Sequence, residues 1–186
     1  KDLTFQSILT TAKDILPDLR QSVDLLIVAY HGGFERDLQT GLPTEILTGE
    51  NEAYQLVEEY KDYIDALVTG HQHREIADHL FGVPVIQPGY RGAFVGEIEL
   101  ELDNHKKVVA SNARLHKTEN CKVSSEVNQL ISVVSEEAED WLDQPMGEVH
   151  GEMIIRDPMT ARLIEHPYIE LINKIQMEAT GTDISG

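Results

Sequence analysis

The segment VDLLIVAYHGG (residues 23–33) decides the fold class, because a nearly continuous apolar run ends there in a histidine and two glycines. Runs of this kind are typical of strands that are buried on both faces of a parallel sheet. A second short apolar run, residues 64–69, ends in the same way at GHQH (residues 70–73). Residues 4–20 and 50–62 repeat apolar side chains every three or four positions, which predicts amphipathic helices. This alternation of helices and strands predicts an α/β fold.

The middle of the chain is predicted to add strands and one long loop. Residues 34–48 are polar and contain a glycine and a proline, so we expect a solvated loop there. A third buried strand is predicted over residues 83–87. Residues 93–102 alternate apolar and acidic side chains, and residues 108–115 follow a polar turn, so these two segments are predicted to form a half-exposed hairpin.

The last third of the chain is predicted to be mainly helical. Residues 124–142 carry an apolar stripe that includes Trp141, and we expect this stripe to be packed in a core. A strand is predicted over residues 148–155. A final helix is predicted over residues 166–180, with Pro167 in its first turn.

Composition excludes several classes of function. The 186 residues include 15 Lys and Arg against 33 Asp and Glu, giving a formal net charge of −18. This balance offers no broad basic surface for nucleic acid. It still permits a small anionic substrate, because a bound metal ion can invert the local field. A single cysteine, Cys121, excludes an internal disulfide framework, and no apolar run is long enough to form a membrane span.

Three histidines follow the two buried strands directly. His31 ends the first run, and His71 and His73 follow the second. The carboxyl ends of strands in an open α/β sheet face the ligand crevice, so we expect the three side chains to converge there. If the backbone is extended, His71 and His73 point to the same side. Spacing alone leaves both a structural role and a metal site open for these residues.

The same residues leave the kind of metal site open. Three imidazoles can hold one Zn²⁺ and keep a position for water. Phosphoester hydrolysis more often uses two ions and a bridging carboxylate. The nearby carboxylates, Glu35 and Asp37, are predicted to lie in the solvated loop. No Asp-x-His or Gly-Asp motif stands at a strand end in this sequence.

An ordered set of motifs resembles the calcineurin-like metallophosphoesterases, and within them the 5′-nucleotidase group. The motifs are YHGG (30–33), ENEAYQL (50–56), GHQH (70–73) and the stretch 84–96 with its QPG. They are most similar to the branch of 2′,3′-cyclic-nucleotide 2′-phosphodiesterases/3′-nucleotidases. Residues 145–186, with PMG, RLIEHP and ATGTDI, are similar to the start of the family's C-terminal domain.

The resemblance implies a domain organisation and a fold. Residues 1–118 would be the C-terminal part of the metallophosphoesterase domain, 119–144 a linker helix, and 145–186 the beginning of the nucleotidase C-terminal domain. The fold class would be α/β, comprising the C-terminal half of a four-layer α/β/β/α sandwich followed by an incomplete second α+β domain. We expect an exposed sheet that the missing N-terminal half or another chain covers.

The resemblance also implies a site. His31 and His71 would bind one divalent ion and His73 a second one, with Mn, Zn, Fe and Co not distinguished. The remaining ligands would come from upstream Asp-x-His, Gly-Asp and Gly-Asn-His motifs, so this chain would carry no catalytic residue of its own. Arg91 is a candidate for binding a substrate phosphate, with a plain surface arginine as the alternative.

The function implied is metal-dependent hydrolysis of nucleotide phosphoesters, with a nucleotide or cyclic nucleotide as substrate. The isolated chain is expected to be inactive. Members of the family are mostly exported, which implies an extracellular, cell-wall or periplasmic location. Two alternatives stay open: a non-catalytic fragment or pseudoenzyme that binds without turnover, and an independent three-histidine zinc hydrolase.

Overall fold

The computed structural model describes residues 6–148 and 150–185, which divide into two compact units between Lys122 and Val123. In the described residues, no helix combines the length and the apolar character that crossing a membrane requires. The elements of the first unit, in chain order, are α1 (Ile8–Ser22), β1 (Ile27–Tyr30), α2 (Ala53–Tyr60), β2 (Ala66–Thr69), β3 (Glu75–Leu80), β4 (Val83–Pro88), β5 (Phe94–Leu102) and β6 (Val108–Lys117). The second unit contains α3 (Ser125–Leu142), α4 (Thr160–Leu163) and α5 (Pro167–Thr180).

The mixed α/β fold predicted from the sequence is confirmed. Strands β1, β2 and β4 are parallel neighbours in a sheet of order β1-β2-β4-β3. The register pairs Tyr30 with Thr69, so β1 and β2 end side by side. This alignment places the residues that follow the two strands at one edge of the sheet.

The prediction that residues 23–30 form a strand buried on both faces is wrong. Only Ile27–Tyr30 is extended, and Ile27 is 59% exposed. The reason is that β1 lies at the edge of this sheet, where it pairs only with β2 among the strands of the described residues. Just before β1, a side chain takes the place of a neighbouring strand as hydrogen-bond partner. Leu26 N donates a hydrogen bond to Asp65 Oδ2 at 2.7 Å.

Strand β3 was missing from the sequence prediction. It runs antiparallel to β4 along its whole length, and the two join through Phe81 and Gly82, both at positive φ. Two central residues at positive φ are typical of tight hairpin turns. The sequence at this turn lacks the Asn-Gly or Asp-Gly pair that usually marks a tight hairpin turn. For this reason the sequence did not predict β3.

The core lies between the helices and one face of the four-stranded sheet. Helices α1 and α2 pack against each other, and the sheet supplies Leu67 and Val85, which are fully buried. Ser7 caps α1 by accepting a hydrogen bond from Leu9 N at 3.1 Å. The other buried members of this cluster include Ala12, Leu16, Phe34, Ala53, Leu56, Val57, Ile64, Ile76, Leu80 and Val83.

The hairpin β5–β6 lies against the opposite face of the sheet. Gly96 marks the close approach, since a Cβ there would lie 2.7 Å from Ile86 Cδ1. Beside this contact, an apolar groove of about 220 Å³ separates the two sheets. Ile27 and Val68 line the groove on the β1 side and stay partly exposed. The inter-sheet face is therefore covered near β4 and open near β1.

The second unit confirms both predicted helices and corrects two other expectations. The strand predicted over 148–155 is wrong for the described residues of that segment, and residue 149 lies outside them. Pro167 begins α5, and Gly181 ends it in the left-handed conformation. Trp141 on α3 is 69% exposed, not packed, because no residue of α3 is buried in this chain.

Candidate metal-binding site

His31 and His71 lie together where the parallel strands β1 and β2 end. Their rings meet edge to face, with the centroids 5.5 Å apart. Gly70 N donates a hydrogen bond to Gly32 O at 3.2 Å, which ties the two turns together. A Cβ on residue 70 would lie 3.4 Å from His31 Nδ1, so a glycine there lets the ring sit close to the backbone.

The backbone at His71 and His73 is left-handed, with φ values of 67° and 59°. The expectation of an extended backbone with both rings on one side is therefore wrong. Gln72 N donates to Gly70 O at 2.8 Å, which closes a turn instead of continuing the strand. His71 turns toward His31, whereas the ring of His73 stacks on Tyr90 with centroids 5.1 Å apart.

Gln72, between the two histidines, holds this turn against the His31 turn. Its Oε1 accepts a hydrogen bond from Phe34 N at 2.9 Å, and its Nε2 donates to Phe34 O at 3.1 Å. Nε2 also donates to Glu45 at 3.0 Å. A Cβ on Gly33 would lie 2.1 Å from Gln72 Oε1, so only glycine leaves room for this pairing.

Asn51 and Glu45 extend the same network to the loop before α2. Asn51 is buried, accepts a hydrogen bond from Gly33 N at 2.6 Å and donates to Glu45 at 2.8 Å. Glu45 thereby joins the amides of Asn51 and Gln72. Three loop segments are held in one arrangement by side chains that sequence spacing did not identify.

Gln87 fixes the GHQH turn from the sheet side. Its side chain is fully buried and its Oε1 accepts from Arg74 N at 2.7 Å. Its Nε2 donates to Gly70 O at 2.8 Å and to Thr69 Oγ1 at 3.1 Å. Burying an amide requires such partners, so the position of Gln87 fixes the backbone on both sides of the histidines.

The predicted solvated position of Glu35 is wrong. Glu35 is buried, and its two oxygens accept hydrogen bonds from Tyr54 N and Gln55 N, each at 3.0 Å. These amides belong to the first turn of α2, where backbone donors lack partners within the helix. Glu35 thus stabilises the N-terminus of α2, while Asp37 accepts hydrogen bonds from Thr40 within its own turn.

A carboxylate lies on the outer side of His71. Glu50 Oε1 is 2.8 Å from His71 Nε2, and Tyr30 donates a hydrogen bond from its hydroxyl to Glu50 O at 3.2 Å. Burial raises the pKa of Tyr30, a backbone hydrogen bond from Glu52 partly opposes this, and nearby carboxylates add to the increase. In the described residues, no three His, Cys, Asp or Glu side chains form a potential metal cluster.

Arg91 lies in the loop after β4, with its guanidinium carbon 5.3 Å from the ring centroid of Tyr90. The side chain is exposed, and its backbone φ is 57°. Tyr90 also stacks on His73, so His73 and the Arg91 guanidinium both lie next to the same aromatic ring. Its role in binding a phosphate stays a prediction.

Comparison with known proteins identifies relatives of one kind. No family model matches the chain. A Staphylococcus aureus protein described as a 5′-nucleotidase, solved in complex with alpha-ketoglutarate, has a similar structure with a TM-score of 0.77 and 36% identity over 96% of this chain. The calcineurin-like phosphoesterase YfkN of Bacillus subtilis has the same fold, with a TM-score of 0.62 and 23% identity over 76% of this chain.

Two curated proteins are similar in sequence. The trifunctional nucleotide phosphoesterase protein YfkN of Bacillus subtilis is 22% identical over 92% of this chain. A 2′,3′-cyclic-nucleotide 2′-phosphodiesterase/3′-nucleotidase of Salmonella typhimurium is 28% identical over 55% of it. The chain covers only 12% and 17% of these two proteins, and 35% and 46% of the two solved chains. By sequence and by fold, the chain is a relative of the calcineurin-like phosphoesterases of the 5′-nucleotidase group and corresponds to part of their length.

Proposed function

We propose that this chain is part of a metal-dependent hydrolase of nucleotide phosphoesters and supplies three imidazole ligands to a two-metal site. The observation that carries the proposal is the edge-to-face meeting of His31 and His71 at the ends of two adjacent parallel strands. Nucleotide phosphoesterases are the named relatives of the chain, which supports the substrate class. A 2′,3′-cyclic nucleotide or a nucleoside monophosphate is the proposed substrate.

The donors fit a divalent transition metal. Sites that combine imidazole nitrogens with carboxylate oxygens accept Mn, Zn, Fe and Co, and two rings at this separation can serve one ion. In the proposed site His31 and His71 hold one ion and His73 holds the other, in keeping with the stacking of His73 on Tyr90 instead of on His31. Two such ions stabilise the charge that develops on a phosphoester during in-line attack by water.

The remaining ligands are proposed to come from a segment or chain that also covers the open inter-sheet groove. The partly exposed Ile27 and Val68 support this arrangement, as does the outer side of β1, which pairs with no strand of residues 6–148 and 150–185. On this proposal the 186-residue chain alone does not hydrolyse phosphoesters. Its export to the cell surface or periplasm is a further part of the proposal, by analogy with the family.

The test is hydrolysis by a longer protein that contains this chain. We expect His71→Ala to abolish Mn²⁺-dependent cleavage of bis(p-nitrophenyl) phosphate and of 2′,3′-cyclic AMP. His105→Ala, in the exposed hairpin turn, is the matched control and should keep full activity. Unchanged turnover in His71→Ala would contradict the proposal. A wild-type protein that binds nucleotide but never cleaves it would favour the non-catalytic alternative.

A further inference from the structure

The contact between Glu50 and His71 determines which ring nitrogen is free. Glu50 Oε1 lies 2.8 Å from His71 Nε2. An ionised carboxylate can only accept, so the hydrogen of this bond belongs to Nε2. In the neutral ring the lone pair is then on Nδ1. The contact therefore selects one tautomer and one orientation of the imidazole.

The backbone that carries Glu50 is tied to the His31 side of the site. Tyr30, the residue before His31, donates its hydroxyl hydrogen to Glu50 O at 3.2 Å. The next residue, Asn51, is buried and accepts from Gly33 N at 2.6 Å. Glu50 is thus presented to His71 from a fixed loop, although its own side chain is 64% exposed.

Distance alone does not distinguish this pair from a surface ion pair. On the hairpin β5–β6, His116 Nε2 lies 2.7 Å from Glu97 Oε2 with similar exposure. Exposed pairs of this kind contribute little to stability, typically less than about 1 kcal/mol. The difference is the second imidazole, because the ring of His31 lies 5.5 Å from that of His71.

We propose that Glu50 is a positioning residue that holds His71 with Nδ1 available to a metal ion. The inference rests on the proposed function for the identity of the ligand, but the tautomer can be measured without metal. Carboxylates that hold ligand histidines in this way commonly change metal affinity by about 10- to 100-fold when they are removed.

The experiment uses the 186-residue chain labelled with ¹⁵N, in metal-free buffer at a pH where the rings are neutral. Long-range ¹H–¹⁵N correlations report the tautomer of each histidine. We expect His71 to be almost entirely protonated on Nε2 in the wild type and in Glu50→Gln, whose amide oxygen still accepts. Glu50→Ala should show the Nδ1-protonated form as well. Glu52→Ala, which removes the same charge from the same loop, should leave His71 unchanged.

A Zn²⁺ titration of the same samples then tests the consequence. We expect Glu50→Ala to weaken binding at His71 about tenfold, Glu50→Gln to weaken it less, and Glu97→Ala to alter His116 alone. Zn²⁺ binding at His31 and His71 with an identical tautomer and affinity in Glu50→Ala overturns the positioning role only. The proposed function fails separately if His71→Ala leaves Mn²⁺-dependent hydrolysis by the longer protein unchanged.

Discussion

The side-chain amide of Gln72 pairs with both backbone polar groups of Phe34, accepting from its N at 2.9 Å and donating to its O at 3.1 Å. This pairing imitates the exchange of hydrogen bonds between neighbouring strands. It joins the turn between His71 and His73 to the turn that follows His31. The two turns that carry the histidines are therefore joined by a residue that is not itself a proposed metal ligand.

Gln72→Ala should loosen this arrangement. The change leaves Phe34 N, in a buried residue, without its acceptor, and an unsatisfied buried group costs about 1–3 kcal/mol. We expect a fall in the free energy of unfolding in urea and loss of the contact between His31 and His71 in nuclear Overhauser spectra. Gln39→Ala, on the exposed part of the loop that contains Phe34, should change stability by less than about 0.5 kcal/mol. Equal stability of the two variants would refute the role given to Gln72.

Glu35→Ala should destabilise α2. The variant removes the acceptor of Tyr54 N and Gln55 N at the start of the helix, which should cost about 1–3 kcal/mol. Hydrogen exchange should show faster opening of the first turn of α2. Glu58→Ala, on the exposed side of the same helix, removes the same charge and is the control. Protection that stays the same in both variants would show that Glu35 does not cap the helix.

Gly96→Ala should force the two sheets apart where they touch. The new methyl group would lie 2.7 Å from Ile86 Cδ1, and overpacking of this kind costs about 1–3 kcal/mol. Ile86→Val removes the opposing methyl group. We therefore expect the double variant to be more stable than the sum of the single changes predicts, as measured by urea denaturation. Strict additivity would mean that the two residues do not meet.

The raised pKa of Tyr30 predicts that the free energy of unfolding falls as the pH becomes alkaline. Because burial raises this pKa, the contribution of Tyr30 is complete below the ordinary tyrosine value of about 10. It is lost as the pH rises through the higher value of the folded chain. The difference in unfolding free energy between the wild type and Tyr30→Phe should therefore shrink as the pH rises above the ordinary tyrosine pKa. Urea midpoints of the two proteins across the alkaline range measure it, and a constant difference would contradict the assignment.

Arg91→Ala tests the predicted phosphate contact in the longer protein. If the guanidinium meets the substrate phosphate, KM should rise with a smaller change in kcat, and Arg91→Lys should recover part of the loss. The melting temperature should stay within the range of surface variants, since Arg91 is exposed. An unaltered KM would leave Arg91 as a surface arginine stacked near Tyr90.

The sequence predicted the elements that depend on local pattern. The helix at Ala53–Tyr60, the strand at Ala66–Thr69 and the hairpin β5–β6 follow from periodicity that short segments carry in themselves. The common edge of β1 and β2, where His31 and His71 meet, follows from the rule for parallel strands. These predictions needed no knowledge of distant contacts.

The rest depended on partners far away in the sequence. Glu35 is buried because α2 needs an acceptor about twenty positions later, and no local pattern distinguishes it from a loop carboxylate. Gln72 and Asn51 satisfy backbone groups across three loops, which spacing does not encode. The sequence predicts that the apolar Ile27 is buried, whereas β1 pairs only with β2 among the described strands and Ile27 lines the open groove.

The left-handed backbone at His71 and His73 has a consequence for anyone who engineers this chain. Holding a side chain other than glycine in that region costs on the order of 1–3 kcal/mol at each position. Glycine would relieve that cost while deleting the imidazole. A directed-evolution campaign that rewards heat tolerance alone will therefore favour the loss of both rings, and it needs a second screen that retains them.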